Sequence, residues 1–288
     1  MARLVTFLSL LALAFAHPHQ KQSVGFIRNY PVPLSQGNDG KVVGGIDADP
    51  GEFPYQVSIQ VKPIFGDRYH NCGGILINPT HVITAAHCVE GQILNQVSII
   101  AGAHNMKIGE INQQLRIPKR LIWHDNFDNE ILYHDVAVIT VTEPFELNEW
   151  VQTLPISEEG FNHAGECVNT GWGNTNPADY PITIPDALQK ITLEIFPRSN
   201  CTAAFNGLNP VDDTMVCARG LDDDSSKGAC NGDSGGPLAC LDGNNQTYLA
   251  GIVSWGMNPC GQYRYPSVFA DVANKENRDF LVLELARP

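Results

Sequence analysis

The stretch Gly228–Cys240, "GACNGDSGGPLAC", places Ser234 among glycines, and Cys230 and Cys240 stand on either side of this glycine-rich run. Few neighbours of Ser234 have a large side chain, and two interpretations account for this. The run could be a surface turn, in which glycine supplies the tight backbone geometry. Alternatively, the glycines could keep backbone N–H groups open around a nucleophilic hydroxyl, which needs both a base and anion donors to react. The stretch by itself leaves both open.

A base for Ser234 would have to come from elsewhere in the chain, which contains nine histidines. His87 stands out in "THVITAAHCVE", because it follows an apolar strand-like run and has small neighbours. A buried structural histidine would fit this context equally well. Five other histidines stand in polar contexts and are expected at the surface: His81, His104, His124, His134 and His163.

A carboxylate could orient such a base, and Asp135 in "YHDVAVITV" is the candidate. It directly precedes an apolar strand-like run. A carboxylate in this position is either a solvated strand start or a buried group that fixes the tautomer of an imidazole.

The N-terminus predicts export from the cell. Arg3 precedes the apolar run "LVTFLSLLALAFA", and Ala14-Phe15-Ala16 forms a small-x-small cleavage site, so residues 1–16 read as a signal peptide. The apolar run is too short to span a bilayer. The chain has eight cysteines, and an even count in an exported protein indicates four disulfides, although spacing alone does not pair them. We expect a soluble, secreted protein with no membrane partner.

Charge and composition limit the remaining classes. The formal net charge of −13 argues against a nucleic-acid-binding protein, which needs a basic face. Residues 17–41, "HPHQKQSVGFIRNYPVPLSQGNDGK", are polar, contain no cysteine and show no hydrophobic period. This composition is typical of a flexible pro-segment.

The rest of the chain predicts an all-β fold. Short β-branched or apolar runs are separated by Gly, Pro, Asn and Asp, as in "YQVSIQV", "GGILI", "HVITAA", "QVSIIAG", "DVAVITV", "LQKITLEIF" and "TYLAGIVSW". Such spacing favours a β-sandwich or β-barrel. A domain boundary is expected in "LNEWVQTLPISEEGFNHAGE", where the strand signals stop. The segment "DVANKENRDFLVLEL" lacks Gly and Pro and predicts a C-terminal helix.

The motifs "VVGG", "TAAHC", "HDVAVI", "GWG", "GDSGGP" and "SWG", in this order, resemble the trypsin/chymotrypsin-like serine protease family. The resemblance runs from Val42 to about Val272. It implies two antiparallel β-barrels with the active site between them and a C-terminal α-helix. The protease domain would span residues 42–288, with the first barrel at about 42–152, the second at about 153–271 and the helix at about 272–288.

The resemblance also implies a serine endopeptidase made as a zymogen. Ser234 would be the nucleophile, His87 the general base and then acid, and Asp135 the group that orients His87. The N–H groups of Gly232 and Ser234 would form the oxyanion hole. A trypsin-like protease would cleave after Lys41, and the new ammonium group of Val42 would pair with Asp233. The implied disulfides are Cys72–Cys88, Cys167–Cys240, Cys201–Cys217 and Cys230–Cys260.

The implied substrate pocket consists of Gly228, Ala229, Ser254, Trp255, Gly256 and Ser267. Gly228 stands at the floor position, where trypsin-like members have an aspartate that holds Lys or Arg, and Gly256 would leave the mouth open. Ser267 faces the interior and would shorten the pocket or make it more polar. We expect cleavage after Phe, Tyr, Leu or Met. The alternatives are elastase-like preference, broad collagenolytic preference, or an inactive homologue that binds partners.

Other sites follow less directly. The stretch "GAHNMKIGEINQQ" has Ala103 and Gln113 where relatives place two calcium-binding glutamates, and Glu110 alone is a weak ligand set. We therefore expect no cofactor and no metal. Asn245 and Asn200 are N-glycosylation sequons, of which Asn245 is the better candidate. We expect a monomer with a digestive role that acts on proteins or peptides and is bound by protein protease inhibitors, with a regulatory cascade role as the alternative.

Overall fold

The computed structural model describes residues 43–176, 184–221 and 227–288. The expected signal peptide and pro-segment, together with Lys41 and Val42 at the expected activation junction, lie outside the described residues. The acidic residues Asp222, Asp223 and Asp224 also lie outside the described residues.

Two antiparallel β-sheets make up most of the fold. The first strand, β1 (Ile46–Asp47), belongs to the second sheet. The first sheet contains β2 (Gln56–Val61), β3 (Tyr69–Asn78), β4 (His81–Thr84), β5 (Val97–Ala101), β6 (Gln114–Arg116), β7 (Pro118–Trp123) and β8 (Ala137–Val141). Its order is β6-β5-β2-β3-β4-β8-β7. The apolar residues Val57, Ile59 and Val61 of β2 are buried in its core, as alternating strand positions on one face should be.

The second sheet closes into a barrel. It contains β9 (Glu166–Gly171), β10 (Gln189–Phe196), β11 (Met215–Arg219), β12 (Pro237–Leu241), β13 (Thr247–Trp255) and β14 (Ser267–Asp271). The order is β10-β11-β14-β13-β12-β9, and β9 also pairs with β10, which completes a six-stranded ring. Strand β1 pairs antiparallel with the first residues of β10. A strand in the range expected for the first barrel therefore belongs to the second sheet.

Among the described residues, three α-helices connect to these sheets, α1 (Ala86–Val89), α2 (Arg198–Ala204) and α3 (Lys275–Leu285), together with a 3-10 helix at Leu94–Gln96. Helix α3 starts at Lys275 rather than near residue 272, because the side chain of Asn274 accepts hydrogen bonds from the N–H groups of Glu276 and Asn277. Such a cap fixes where a helix begins. Leu281 of α3 is buried in the core of the first sheet, so the C-terminal helix packs back across the molecule.

The predicted fold class, all-β with two barrels and a C-terminal helix, is confirmed. Each apolar run quoted above contains or overlaps a strand. The interval between β8 and β9 carries no strand, and the boundary expected there stays a prediction. No helix in the described ranges has the length and apolar character needed to cross a membrane.

Four disulfides join Cys72 to Cys88, Cys167 to Cys240, Cys201 to Cys217 and Cys230 to Cys260. These are the pairs that the resemblance implies. All eight cysteines are used, and none lies before Cys72.

Candidate active site

His87 and Asp135 meet at one end of the first sheet. His87 lies on α1, directly after β4, and Asp135 lies just before β8, which pairs with β4 through Thr84 and Ala137. The Nδ1 of His87 is 2.7 Å from Oδ2 of Asp135, and the backbone N–H of His87 donates to Oδ1 at 2.9 Å. Because the two strands are adjacent and antiparallel, the C-terminal end of β4 and the N-terminal end of β8 place His87 and Asp135 at the same end of the sheet.

A third hydrogen bond reaches Asp135 from the second barrel. The hydroxyl of Ser254 donates to Oδ2 of Asp135 at 2.6 Å, and the Asp135 side chain has no exposed surface. The resemblance placed Ser254 in the substrate pocket, and that assignment stays a prediction; its hydroxyl also ties Asp135 to the second barrel. A buried carboxylate with three donors is held in one orientation and remains a hydrogen-bond acceptor.

Ser234 lies at the same seam between the barrels. Its carbonyl accepts from Gly73 N at 2.8 Å, and Gly235 N donates to Val253 O at 2.8 Å. A Cβ placed on Gly235 would lie 3.1 Å from Sγ of Cys88, the residue after His87. The backbone beside Ser234 thus packs against the disulfide next to His87.

The hydroxyl of Ser234 is buried and has no hydrogen-bond partner among the described residues. A hydroxyl–imidazole bond is often long or poorly aligned in a serine enzyme without substrate, and it tightens when substrate binds. The hydroxyl is therefore available for proton transfer.

Two backbone donors flank this hydroxyl. Within the described part of the chain, nothing accepts a hydrogen bond from the N–H of Gly232 or of Ser234. Gly232 has φ = +101°, and a Cβ there would lie 3.0 Å from Cα of Gly173. Only glycine fits this conformation and this close approach. The arrangement can stabilise an oxyanion that forms on a carbonyl next to Ser234.

Asp233 points away from this hydroxyl into a cradle of backbone. Its carboxylate is fully buried and accepts from Gly173 N at 2.8 Å and from Cys230 N at 2.9 Å. A Cβ on Gly171 or Gly173 would overlap the carboxylate. Burial raises the pKa of Asp233 to about 6. No described cation pairs with it, and a buried carboxylate is favourable only when a positive charge accompanies it.

Sequence reasoning missed His70, which supports the same loop from β3. Its Nε2 lies 2.9 Å from the carbonyl oxygen of Gly232, and its Nδ1 lies 2.8 Å from Oγ of Ser58. Because a carbonyl only accepts, Nε2 carries the hydrogen and Nδ1 accepts from the Ser58 hydroxyl. Burial lowers the pKa of His70 to about 4. One signal could have pointed to His70. It lies within a strand-like segment, and a histidine buried there needs hydrogen-bond partners.

The expected pocket residues Gly228, Ala229 and Ser267 come together. The N–H of Ala229 donates to Oγ of Ser267 at 3.0 Å, and a Cβ on Gly228 would lie 2.9 Å from the same oxygen. None of the three carries a charge. The ring of Trp255 packs edge-on against that of Phe205, with centroids 4.7 Å apart. Trp255 ends its strand and Gly256 follows it, and neither residue brings a charge to this site.

The expectation that five histidines lie at the surface is wrong for three of them. His81, His124 and His163 are buried. His163 lies 3.2 Å from both the hydroxyl of Tyr248 and the carboxylate of Asp271, and the ring of His124 stacks on that of His134 with centroids 4.3 Å apart. Polar sequence context failed here because the fold buries these rings and still supplies partners, which are tertiary for His163 and local for His81 and His124.

Among the described residues, one group brings potential metal ligands together. Cys72, His87 and Cys88 offer three ligand atoms close to one another, but both sulfurs belong to one disulfide. In the loop where relatives hold calcium, Oε2 of Glu110 accepts from His104 N at 2.6 Å and Asn105 N at 3.0 Å. The loop is therefore closed by its own hydrogen bonds. The absence of a calcium requirement stays a prediction.

Both sequons are exposed. Asn245 lies in the turn between β12 and β13 with φ = +59°, and Asn200 lies on α2 next to the disulfide-bonded Cys201. Occupancy by a glycan stays a prediction for each.

Comparison with known proteins adds evidence that is independent of the site geometry. Residues 42–278 match the family model described as Trypsin. The chain is 37% identical over 235 residues to Trypsin-1 of Astacus astacus, which covers 81% of this chain and 95% of that protein. It is 35% identical over 240 residues to Trypsin of Sus scrofa, covering 83% and 94%. It is 34% identical over 242 residues to Trypsin I-P1 of Gallus gallus, covering 84% and 89%.

Proposed function

Because the chain belongs to the trypsin family of serine endopeptidases, we propose that Ser234, His87 and Asp135 are its catalytic residues. The observation that carries this proposal is the buried hydrogen bond from His87 Nδ1 to Asp135, next to the seam where Ser234 lies. In the neutral ring, that bond places the proton on Nδ1, so Nε2 of His87 can act as a base.

The chemistry follows from this arrangement. Ser234 Oγ attacks the substrate carbonyl carbon while its proton passes to Nε2 of His87. Asp135 stabilises the imidazolium, and the N–H groups of Gly232 and Ser234 bind the oxyanion. His87 then gives the proton to the leaving amine, and water hydrolyses the acyl-enzyme by the same steps.

Activation would use the cradle around Asp233. Cleavage after Lys41 by a trypsin-like protease gives Val42 an ammonium group that pairs with the buried carboxylate. Val43 supports this route, because it is buried in one cluster with Cys230 and Cys260, beside the Asp233 loop. Lys41→Gln should yield an exported precursor that trypsin treatment does not activate. Full activity after that treatment would refute Lys41 as the junction.

The pocket favours cleavage after Phe, Tyr, Leu or Met. Its floor offers Gly228 and the hydroxyl of Ser267, and a substrate cation buried there would lack a carboxylate partner. The relatives quoted above are named trypsins, so cleavage after Lys or Arg is the second candidate. An elastase-like or broad collagenolytic preference would follow if Ser267 shortens the pocket.

The proposed physiological setting combines properties of the family with features of this chain. Members of this family act on proteins and are bound by protease inhibitors. The signal-like N-terminus and the four disulfides support a secreted enzyme, for which a digestive role and a monomeric state are our proposals. The experiment that tests the proposal is activation of the full chain with trypsin, followed by profiling on a peptide library. Cleavage after large apolar residues supports it, and a preference for lysine well above phenylalanine refutes the pocket assignment.

A further inference from the structure

The loop between β2 and β3, residues 62–68, exposes an unusual pair of side chains. Phe65 is 90% exposed and Ile64 is 78% exposed. In the described part of the chain, residues 63–67 form no hydrogen bond, and the Phe65 ring contacts no other ring. The two strands remain paired up to Val61 and Tyr69, beyond a bulge at Ile59 and Gln60, so the loop projects from the end of a hairpin.

Several other exposed residues of the preferred type are held in place, and Leu147 and Leu221, which lie outside strands and helices, are only 46% and 42% exposed. Leu115, Leu241 and Leu283 lie within regular strands or a helix. The ring of Phe161 lies 5.0 Å from that of Tyr248, and the guanidinium of Arg219 lies 5.1 Å from the ring of Tyr263. A protease cuts only a segment that can leave its own contacts and extend in the active site, so cleavage follows the population of the opened form. Phe65 needs the least opening of these residues.

We propose that the Phe65–Gly66 bond is the first self-cleavage site, cut by a second copy of the active enzyme. This inference rests on the proposed preference for large apolar residues. The loop is tied at both ends by the Val61–Tyr69 pair, so it cannot extend into the site of its own molecule. Ser234 of one copy forms an ester with the Phe65 carbonyl of the other, and the Gly66 amine leaves with a proton from His87. Water then releases the Phe65 carboxylate and restores the Ser234 hydroxyl.

Cleavage here would reverse activation. The first cysteine is Cys72, so no disulfide joins the segment that ends at Phe65 to the rest of the enzyme. This segment carries β1, β2 and Val42, whose ammonium group is the proposed partner of Asp233. Strand β2 lies between β3 and β5, and only its non-covalent contacts would hold it after the cut. Loss of the segment removes the activating charge and ends activity.

The test follows loss of activity in the trypsin-activated full-length chain at two protein concentrations. Mass spectrometry identifies the first new N-terminus, which should be Gly66, and the loss should be faster at the higher concentration. Phe65→Asp should slow the loss at least about tenfold, since an apolar pocket discriminates by that much or more against a poorly fitting side chain. Ile111→Asp, which replaces a 98% exposed isoleucine in another loop, should decay like the unmodified enzyme.

A Ser234→Ala chain, cleaved by trypsin at the same junction, serves as an inert substrate. A trace of active enzyme should cut it after Phe65, whereas its Phe65→Asp counterpart should stay intact. A first cut elsewhere, by an enzyme that hydrolyses phenylalanine peptides, overturns the self-cleavage site and leaves the proposed function standing. Hydrolysis of peptides only after Lys or Arg overturns both.

Discussion

Asp135 Oδ2 accepts hydrogen bonds from both His87 Nδ1, at 2.7 Å, and Ser254 Oγ, at 2.6 Å, so one buried oxygen joins the two barrels. The other oxygen accepts from the His87 backbone at 2.9 Å. The carboxylate therefore meets three donors and fixes which ring nitrogen of His87 carries a proton.

Asp135→Asn should lower kcat by about 10⁴-fold, the size of the tautomer effect in enzymes with this triad. The amide has one acceptor oxygen for three donors, so His87 would present the protonated nitrogen to Ser234. Steady-state kinetics on a phenylalanine amide substrate measures the loss, and circular dichroism checks the fold. A loss below about tenfold would contradict the orienting role.

Gly173→Ala should inactivate the enzyme without unfolding it. The new Cβ would overlap the Asp233 carboxylate and displace the loop that presents the N–H groups of Gly232 and Ser234. Loss of one such donor lowers kcat by about 10²- to 10³-fold, so we expect at least that effect. Gly109→Ala is the matched control, because no atom lies within 4 Å of its Cβ. Equal activity in the two variants would contradict the cradle.

His70 should make the fold sensitive to acid. Its pKa falls from 6.5 to about 4 through burial. As the pH drops from about 6.5 to 4, the unfolded chain takes up a proton that the folded protein refuses, so stability is present above this window and is lost across it. The loss is on the order of 3 kcal/mol.

Urea unfolding at pH 7 and pH 4.5 measures this effect, with Ser234→Ala as the background to prevent proteolysis. His70→Gln should flatten the acid slope relative to that background. The raised pKa of Asp233 has the opposite sign, but it is present in both proteins and cancels in the comparison. Identical slopes would contradict a neutral, buried His70.

The pocket floor allows a designed change of specificity. Gly228→Asp combined with Ser267→Gly should shift cleavage from phenylalanine towards lysine, because a carboxylate then meets the substrate cation. Gly228→Asp alone should do so less well, since its Cβ would lie 2.9 Å from Ser267 Oγ. Parallel kcat/KM values on lysine and phenylalanine peptides decide this. An unmodified enzyme that already prefers lysine would contradict the uncharged floor.

Much of the fold could be predicted from local patterns. Strands β2, β5, β8 and β13 are dense in β-branched and apolar residues, and the motif order located Ser234, His87 and Asp135. Tertiary contacts decided the rest. The direction of the Ser254 side chain, the support of Gly232 by His70, and the pairing of β1 with the second sheet each depend on a partner far away in sequence, which no local pattern encodes.

The most direct test of the central claim is labelling with an organophosphate that reacts only with an activated serine hydroxyl. After trypsin treatment of the full chain, peptide mapping should find one phosphoryl group per molecule, on Ser234, with parallel loss of hydrolysis, and the untreated precursor should react far more slowly. Modification at a different residue, or an activated protein that hydrolyses peptides but stays unlabelled at Ser234, would contradict it.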